Sequence, residues 1–262
     1  MKSTCKLVKK VSVLLKKINC REFLHHLGPK KYKFKQHAAA LLLKEICKTS
    51  FRRVVQIFDL FDVAVPTYSA LCKSRKRIPA WIWQQLLSIT AGLQNEIAAI
   101  DATGFSRTNP SHHYLVRGCK EGYRKGYAKI SALYDVKSHK VMAIHVRIRP
   151  AHEIRDAKIL LRSHKPTYLL GDKAYDAEWL HQYCFERKIK TIIPSKVWTK
   201  KGFYRRKQKI NYSEEKYHQR SLIESGFSAI KRKYGSAVSG KSLASIRTEA
   251  SCKAIAHNLK FS

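Results

Sequence analysis

Acidic residues are scarce in this sequence. Its 262 residues include 18 Asp and Glu against 53 Lys and Arg, which leaves a formal net charge of +35 at pH 7. Basic residues are spread from one end to the other, so the excess implies a polyanionic partner, most commonly a nucleic acid. An affinity that rests on phosphate contacts should fall steeply with salt. The alternative is a generally basic or ribosome-associated protein.

Three further absences narrow the class of protein. No Gly, Pro or Ser tract interrupts the chain, which argues against intrinsic disorder. No stretch approaches 18 uninterrupted apolar residues, and lysines break the apolar run at the start too often for a signal peptide. The seven cysteines show no zinc-ligand spacing such as C-x2-C, so they read as reduced core thiols. We therefore expect a cytoplasmic globular protein with no membrane association.

The first part of the chain, residues 1–95, shows only helical patterns. The segments 51–61 and 67–77 resemble a helix-turn-helix, with Thr67 as the N-cap of a basic second helix. The alternative is a solvated face of a helical bundle, which basic helix pairs form more often. The pattern predicts an all-helical N-terminal DNA-binding region over residues 1–95.

The pattern changes at residue 96 to short β-rich runs. Strands are predicted at 97–101, 128–135 and 141–149, followed by helix 153–163, strand 167–172, helix 177–188 and strand 190–194. Three strands followed by helix, strand, helix and strand is the ribonuclease-H-like order. The sequence therefore predicts an α/β fold, with a ribonuclease-H-like mixed sheet flanked by helices as the second domain, residues 96–262.

Two of the few aspartates stand at the ends of predicted strands. Asp101 ends the first strand, and Asp172 ends the strand that begins at residue 167. Ligands bind at the carboxyl ends of strands in open α/β sheets, and two carboxylates brought together there need a cation between them. The alternatives are a turn residue for Asp101 and a helix N-cap for Asp172. Asp135 could replace either aspartate, although the turn that follows it favours a hairpin role.

A third acidic residue lies in a segment with strong helical character. Tyr217, Arg220, Glu224 and Lys231 have offsets of 3, 4 and 7 residues, which places them within one stripe of a helix. An apolar seam borders the stripe, so the helix can pack on the sheet and direct Glu224 towards the two aspartates. A solvent-exposed charged face would explain the basic residues of the stripe, but not Glu224.

These residues resemble a known family. The spacing Tyr217-x2-Arg220-x3-Glu224-x6-Lys231 resembles the Y-R-E-K signature of the DDE transposases of bacterial and archaeal insertion sequences. The segment 171–176, GDKAYD, resembles the second motif of that family, and the segment 100–103, IDAT, resembles its first. The resemblance covers about residues 96–260, whereas the N-terminal helices match only in their helical and basic character.

The resemblance implies catalytic roles for Asp101, Asp172 and Glu224, which would bind two Mg²⁺ or Mn²⁺ ions. Two such ions about 3.5 to 4 Å apart activate the attacking oxygen and stabilise the leaving oxygen of an in-line displacement at phosphorus. The implied reaction is cleavage of DNA at the terminal inverted repeats of a transposon, followed by transfer of the strands into target DNA. The implied assembly is a homodimer on DNA.

The other residues of the signature would bind DNA. In the family's pattern, Arg220 and Lys231 would hold phosphates of the transposon end, and Tyr217 would contact the adjacent backbone or a base. Some relatives carry a β-rich insertion before the catalytic Glu, but only 51 residues separate Asp172 from Glu224 here. A hairpin mechanism that depends on such an insertion is therefore not expected.

Two other functions stay open at this stage. A domesticated or inactive transposase derivative would bind DNA without cutting it, and a ribonuclease-H-like structure-specific nuclease would hydrolyse DNA without joining strands. The three carboxylates argue against lost chemistry. The joining step rests on the resemblance alone.

Overall fold

The computed structural model describes residues 6–23, 30–92, 96–108, 113, 117, 126–195 and 202–260. The N-terminal part is all helical, as predicted. Its helices are α1 (Lys6–Lys17), α2 (Phe34–Ile46), α3 (Phe51–Leu60), α4 (Tyr68–Arg77) and α5 (Ala80–Ala91). Within the described ranges, no helix combines the length and the apolar character that a membrane crossing requires.

Hydroxyl side chains begin two of these helices. Ser50 Oγ accepts from the Arg53 amide at 3.3 Å, and Thr67 Oγ1 accepts from the Ala70 amide at 3.4 Å. Such bonds satisfy amides that the first helical turn leaves without a partner. The predicted N-cap at Thr67 is confirmed, and α3 and α4 form the predicted helix pair.

Within the part of the chain that the structure describes, six strands form one mixed sheet. They are β1 (Ile97–Arg107), β2 (Tyr127–Asp135), β3 (Lys140–Arg147), β4 (Tyr168–Leu170), β5 (Lys190–Ile192) and β6 (Ala237–Val238). The order is β3-β2-β1-β4-β5, with β6 paired to the far end of β1. Strands β1 to β3 are antiparallel, whereas β1, β4 and β5 are parallel. This is the predicted ribonuclease-H-like arrangement.

The first strand is longer than the sequence pattern predicts. Asp101 does not end β1, because the strand continues to Arg107 and residues 102–106 pair with β2. The apolar run ends at Ile100, but hydrogen bonding does not, since β2 supplies backbone partners beyond it. The parallel partner β4, by contrast, stops opposite Ala99. Asp101 therefore lies just beyond the parallel pairing.

The remaining helices that the structure describes in full follow β3 along the chain. They are α6 (Ala157–Leu161), α7 (Glu178–Glu186), α8 (Phe203–Lys209), α9 (Glu214–His218), α10 (Ser221–Tyr234) and α11 (Leu243–Lys260), with single 3₁₀ turns at Glu153–Asp156 and Lys173–Tyr175. The segment with Tyr217 and Lys231, predicted as one helix, is two helices. Amides 219, 220, 222 and 223 bond to carbonyls three residues earlier, which tightens the chain between α9 and α10.

Helix α11 joins the N-terminal helices to the sheet. Thr248 accepts from the indole N–H of Trp83 in α5 at 3.0 Å and donates to the Arg75 carbonyl in α4 at 2.9 Å. Asn258 donates to the Val141 carbonyl at 2.7 Å and accepts from the Val141 amide at 2.8 Å. Residues of α1 to α5, the sheet, α10 and α11 share one buried apolar cluster. The division of the chain into two domains near residue 95 remains a prediction, because both parts contribute to this apolar core.

Gly226 allows α10 to lie close to the sheet. A Cβ at this position would lie 2.6 Å from Cε2 and 2.8 Å from Cζ of Tyr134 on β2. Tyr134 is itself buried, so its ring has little room to move. The close approach positions the first turn of α10, which carries Glu224.

We expect Gly226→Ala to destabilise the protein. Alanine favours a helix by about 1 kcal/mol over glycine, but overpacking against Tyr134 should cost about 1–3 kcal/mol and reverse that gain. Urea unfolding followed by circular dichroism measures the difference. Ser228→Ala, at an exposed position of the same helix, is the control and should change stability by less than about 0.5 kcal/mol. A more stable Gly226→Ala protein would contradict the close approach.

Candidate active site

Asp101 and Asp172 lie side by side at the end of the parallel β1–β4 pairing. Ala98 pairs with Leu169 and Ala99 with Leu170, so two further residues on each strand bring the aspartates to the same level. Ala99 and Leu170 belong to the core on the α10 side, whereas Ala98 and Leu169 belong to the core on the other side. Because side chains alternate along extended chain, both aspartates fall on the α10 side.

Asp172 also caps a helical turn. Its Oδ1 accepts from the Ala174 amide at 2.9 Å and begins the 3₁₀ turn Lys173–Tyr175. The capping role that the sequence allowed is thus present together with the position beside Asp101. One carboxylate oxygen is held by the backbone, which orients the side chain and leaves the other oxygen for a ligand.

Arg220 connects Asp101 to Glu224. Its Nη2 lies 2.7 Å from Glu224 Oε1, and its Nη1 lies 3.6 Å from Asp101 Oδ2. The Glu224 side chain is 55% exposed and the Asp101 side chain 17% exposed. Arg220 stands just before α10 and reaches one turn forward to Glu224, a spacing that helices favour for ion pairs. The structure therefore brings together Asp101, Asp172, Arg220 and Glu224.

The other two signature residues lie further along α9 and α10. Tyr217 is on α9, with its ring centroid 6.0 Å from that of Tyr212. Lys231 lies two turns beyond Glu224 on α10, with Nζ 5.4 Å from the centre of the Phe105 ring. Their proposed DNA contacts stay predictions.

Burial raises the pKa of Asp101 to about 6. The Ala102 amide and the Arg220 guanidinium favour the charged form, whereas the negative charges of Glu153 and Asp172 oppose it. Burial thus disfavours the charged form of the Asp101 carboxylate, and a bound cation would favour it.

Glu153 is an acidic neighbour that sequence reasoning missed. It begins the 3₁₀ turn Glu153–Asp156, and Lys129 of β2 holds it through a 2.8 Å ion pair. Lys129 also donates to the Ala151 carbonyl at 3.1 Å, which fixes the segment before the turn. Only the tertiary structure brings Glu153 near Asp101. In the sequence, Glu153 is recognisable only as an acidic residue that follows the third strand.

Asp135 lies apart from this group. It pairs with Ala98 near the start of β1, and its carboxylate accepts from the Lys137 amide at 3.0 Å and from Ser138 Oγ at 2.7 Å. These bonds close the turn between β2 and β3. The favoured interpretation, a hairpin residue, is confirmed.

The residues suit a divalent cation by their chemistry. Asp101, Asp172 and Glu224 supply carboxylate oxygens, the donors that Mg²⁺ and Mn²⁺ prefer. Burial raises the pKa of Asp101, and a cation would favour its charged form. Among the described residues, however, no three His, Cys, Asp or Glu side chains are close enough to hold a metal in this arrangement. Glu224 bonds to Arg220 instead, so the site would need this ion pair to rearrange before all three carboxylates share a cation.

Comparison with known proteins identifies the family. The transposase DDE domain matches residues 92–259, well over half of the chain. The chain belongs to this family. The matched range includes β1 to β6 and helices α6 to α10, so every member of the candidate site of this DDE transposase domain lies within it. Comparison with curated proteins gives no significant match.

Solved structures give distant likenesses. A chain of the simian T-cell lymphotropic virus intasome, in complex with PP2A regulatory subunit B56 gamma, is 15% identical over 72% of this chain and 58% of its own, with a TM-score of 0.29. The Mos1 strand transfer complex is 10% identical over 89% and 88%, with a TM-score of 0.26. The Mos1 transposase paired-end complex with the left transposon end is 9% identical over 88% and 89%, also with a TM-score of 0.26. Scores this low carry no argument about this chain.

We expect Asp101→Asn to stabilise the metal-free protein more at pH 7 than at pH 4. The folded-state pKa near 6 exceeds the roughly 3.9 of an unfolded aspartate. The protonated form therefore favours folding, and this contribution is lost as the pH rises from about 4 to about 6. Asparagine cannot ionise, so it should avoid a cost of about 1–2 kcal/mol at pH 7, allowing for solvent screening. Urea unfolding at both pH values, with EDTA present, measures the change in stability. Equal stabilisation by Asp101→Asn at the two pH values would contradict the raised pKa of Asp101.

Proposed function

We propose that this chain is a DNA transposase that cleaves DNA at transposon ends and joins the ends to target DNA. Asp101, Asp172 and Glu224 are the catalytic residues and the ligands of two Mg²⁺ or Mn²⁺ ions. The observation that carries the proposal is the pairing of β1 with β4, which sets two aspartates level on one side of the sheet, where Arg220 ties Asp101 to Glu224. Membership of the transposase DDE domain family supports it.

The bound ions would supply charge stabilisation to the attacking and leaving oxygens during displacement at phosphorus. In the first displacement a water oxygen bonds to phosphorus, and the bond from phosphorus to the 3′ oxygen breaks. The 3′ oxygen leaves as a hydroxyl, with a proton that derives from solvent. In the second displacement that hydroxyl attacks a phosphodiester of target DNA, and the target strand's own 3′ oxygen leaves.

The basic residues beside the carboxylates position the DNA. The Arg220 guanidinium is 22% exposed and can donate to a phosphate while it stays close to Asp101. Lys231 extends the basic surface along α10 and Tyr217 borders it on α9. The net charge of +35 favours association with DNA throughout. A homodimer would present two such sites, one to each transposon end.

We expect Glu224→Gln to abolish DNA cleavage in Mn²⁺. The amide keeps the size of the side chain but loses the charge that binds a cation. The rate should therefore fall by more than the roughly 10–100-fold that follows from losing a residue that hydrogen-bonds to a metal ligand. A nicking assay on a duplex with the element's terminal sequence measures the rate. Glu215→Gln, an exposed glutamate on α9, is the matched control and should cleave as the unaltered protein does.

Cleavage that survives both Glu224→Gln and Asp172→Ala would overturn the proposed ligands. Complete absence of metal-dependent cleavage by the unaltered protein, with DNA binding intact, would favour an inactive transposase derivative.

We expect the chain to join pre-cleaved transposon ends to target DNA. A labelled duplex with a free 3′ hydroxyl should appear in a larger product when plasmid DNA and Mn²⁺ are added. The same duplex with a 3′ dideoxy end lacks the nucleophile and is the control. Cleavage of uncut ends without any joined product would favour a structure-specific nuclease of the same fold.

A further inference from the structure

A basic cleft of about 840 Å³ opens where the N-terminal helices meet the far end of the sheet. The C-terminal end of α2, the start of α3, α4, the C-terminal end of β1 and helix α11 form its walls, together with the segment that links α10 to β6. The basic residues of the lining are Lys44, Lys48, Lys73, Arg75, Lys76, Lys241 and Lys253. The acidic lining residues are Glu45 and Glu249. We call this feature the interdomain cleft.

The two carboxylates neutralise the deep part of the cleft but not its rim. Glu45 and Glu249 are buried, and they pair with the deep basic residues Lys44, Arg75 and Lys253 at 2.6 to 3.7 Å. Lys73, Lys76 and Lys241 are exposed, and within the described ranges none of the three forms a salt bridge. The rim therefore carries uncompensated positive charge above a neutralised floor.

The cleft lies on a line with the catalytic carboxylates. Helix α10 leads from Glu224 to Tyr234 at the cleft, a rise of about 15 Å at 1.5 Å per residue. Strand β1 leads from Asp101 to Thr108, which also lines the cleft, over about 23 Å at 3.3 Å per residue. Lys231, over the Phe105 ring, lies between the two ends. Positive charge thus continues from the site to the cleft.

We propose that the interdomain cleft holds the phosphate backbone of the duplex that is cut, about four to seven base pairs from the scissile phosphate. The spacing follows from the distance to the carboxylates at roughly 3.4 Å per base pair. This inference rests on the proposed function, because it takes the DNA under cleavage as the occupant.

The lining favours duplex backbone over single-stranded DNA. Proteins that bind single strands stack bases on exposed aromatic rings. The aromatic lining residues are Phe51 and Tyr234. The Arg75 guanidinium lies 5.3 Å from the Phe51 ring centre, and Tyr234 is buried, with its hydroxyl donating to the Ala256 carbonyl at 3.1 Å. The Phe51 ring already contacts Arg75 and the Tyr234 ring is buried, which favours contacts with phosphates over stacking of bases.

This placement also changes the role expected of α4. The helix-turn-helix resemblance in the sequence would make α4 a recognition helix, whose side chains read bases in a major groove. In the structure Lys73 and Lys76 of α4 face a cleft that the catalytic domain closes on its other side. Phosphate contacts position DNA without reading its sequence. The two lysines should therefore add affinity and salt dependence, not sequence preference.

The test compares Lys73→Gln/Lys76→Gln with Lys137→Gln/Lys165→Gln. The control lysines are exposed at the opposite end of the sheet, near the starts of β1 and β4. Both pairs are placed in an Asp172→Asn background, which prevents cleavage during the measurement. Fluorescence anisotropy then gives the affinity for a 30-base-pair duplex between 50 and 200 mM salt. Circular dichroism checks that each variant is folded.

The cleft pair should make the plot of log affinity against log salt less steep by about 1.8, about 0.9 for each lost phosphate contact. When the salt concentration rises fourfold over this range, the affinity of the cleft variant should therefore fall about tenfold less than the affinity of the control variant. The change should be the same for terminal and unrelated sequences. An unchanged slope, or a loss confined to one sequence, would overturn the proposal.

A second measurement uses duplex length. If only about three base pairs remain on each side of the scissile phosphate, the duplex does not reach the cleft, and the two variants should bind it equally. A difference that persists on this short duplex, or equal losses on single-stranded DNA, would overturn the proposal. Failure of the unaltered protein to cleave DNA would instead count against the proposed function, since these binding measurements use protein that cannot cleave.

Discussion

The parallel pairing of β1 with β4 is the constraint on which the candidate site depends. Side chains alternate along extended chain, so a shift of one residue in this register would turn one aspartate to the opposite side of the sheet. Gly171 helps to fix the position, because a Cβ there would lie 3.3 to 3.4 Å from Tyr175, Ile100 and Ile193 on the side away from α10. A side chain at this position would have to displace these neighbours by a few tenths of an ångström. Asp172 follows directly and takes the α10 side.

Helix α11 holds the N-terminal helices against this sheet through buried polar groups. Glu45 of α2 and Glu249 of α11 are almost fully buried, and each is paired with basic residues. Replacing one member of such a group leaves a buried charge without a partner, which costs about 3–5 kcal/mol. Sliding of α2 along α11 would have the same consequence. These ion pairs therefore fix the position of α2 relative to α11, which form two walls of the interdomain cleft.

The scarcity of acidic residues makes their positions informative. Several are buried in ion pairs: Asp156 pairs with Arg147, and Asp176 pairs with Arg205. Those at the candidate site are different, since Asp101 shares one guanidinium with Glu224 and lies near two further carboxylates. In a chain with this excess of lysine and arginine, a group of carboxylates short of positive charge is costly without a ligand. A functional site is where such a cost is expected.

Local patterns in the sequence were sufficient to predict the all-helical N-terminal part, the Thr67 cap, the order of strands and helices up to β5, and the two aspartates beside strands. These features depend on residues close to each other in the sequence and on the burial of one face of a helix or strand. Such burial appears in the sequence as a periodic spacing of apolar residues.

Tertiary structure alone decided the rest. Helix α11 shows no simple apolar stripe because it is buried on several sides, with polar groups such as Thr248 and Asn258 satisfied by distant partners. The extension of β1 depends on β2, the turn between α9 and α10 interrupts the predicted stripe, and Glu153 reaches the site only when Lys129 holds it there. Each of these features depends on contacts between residues far apart in the chain, which a pattern of neighbouring residues does not contain.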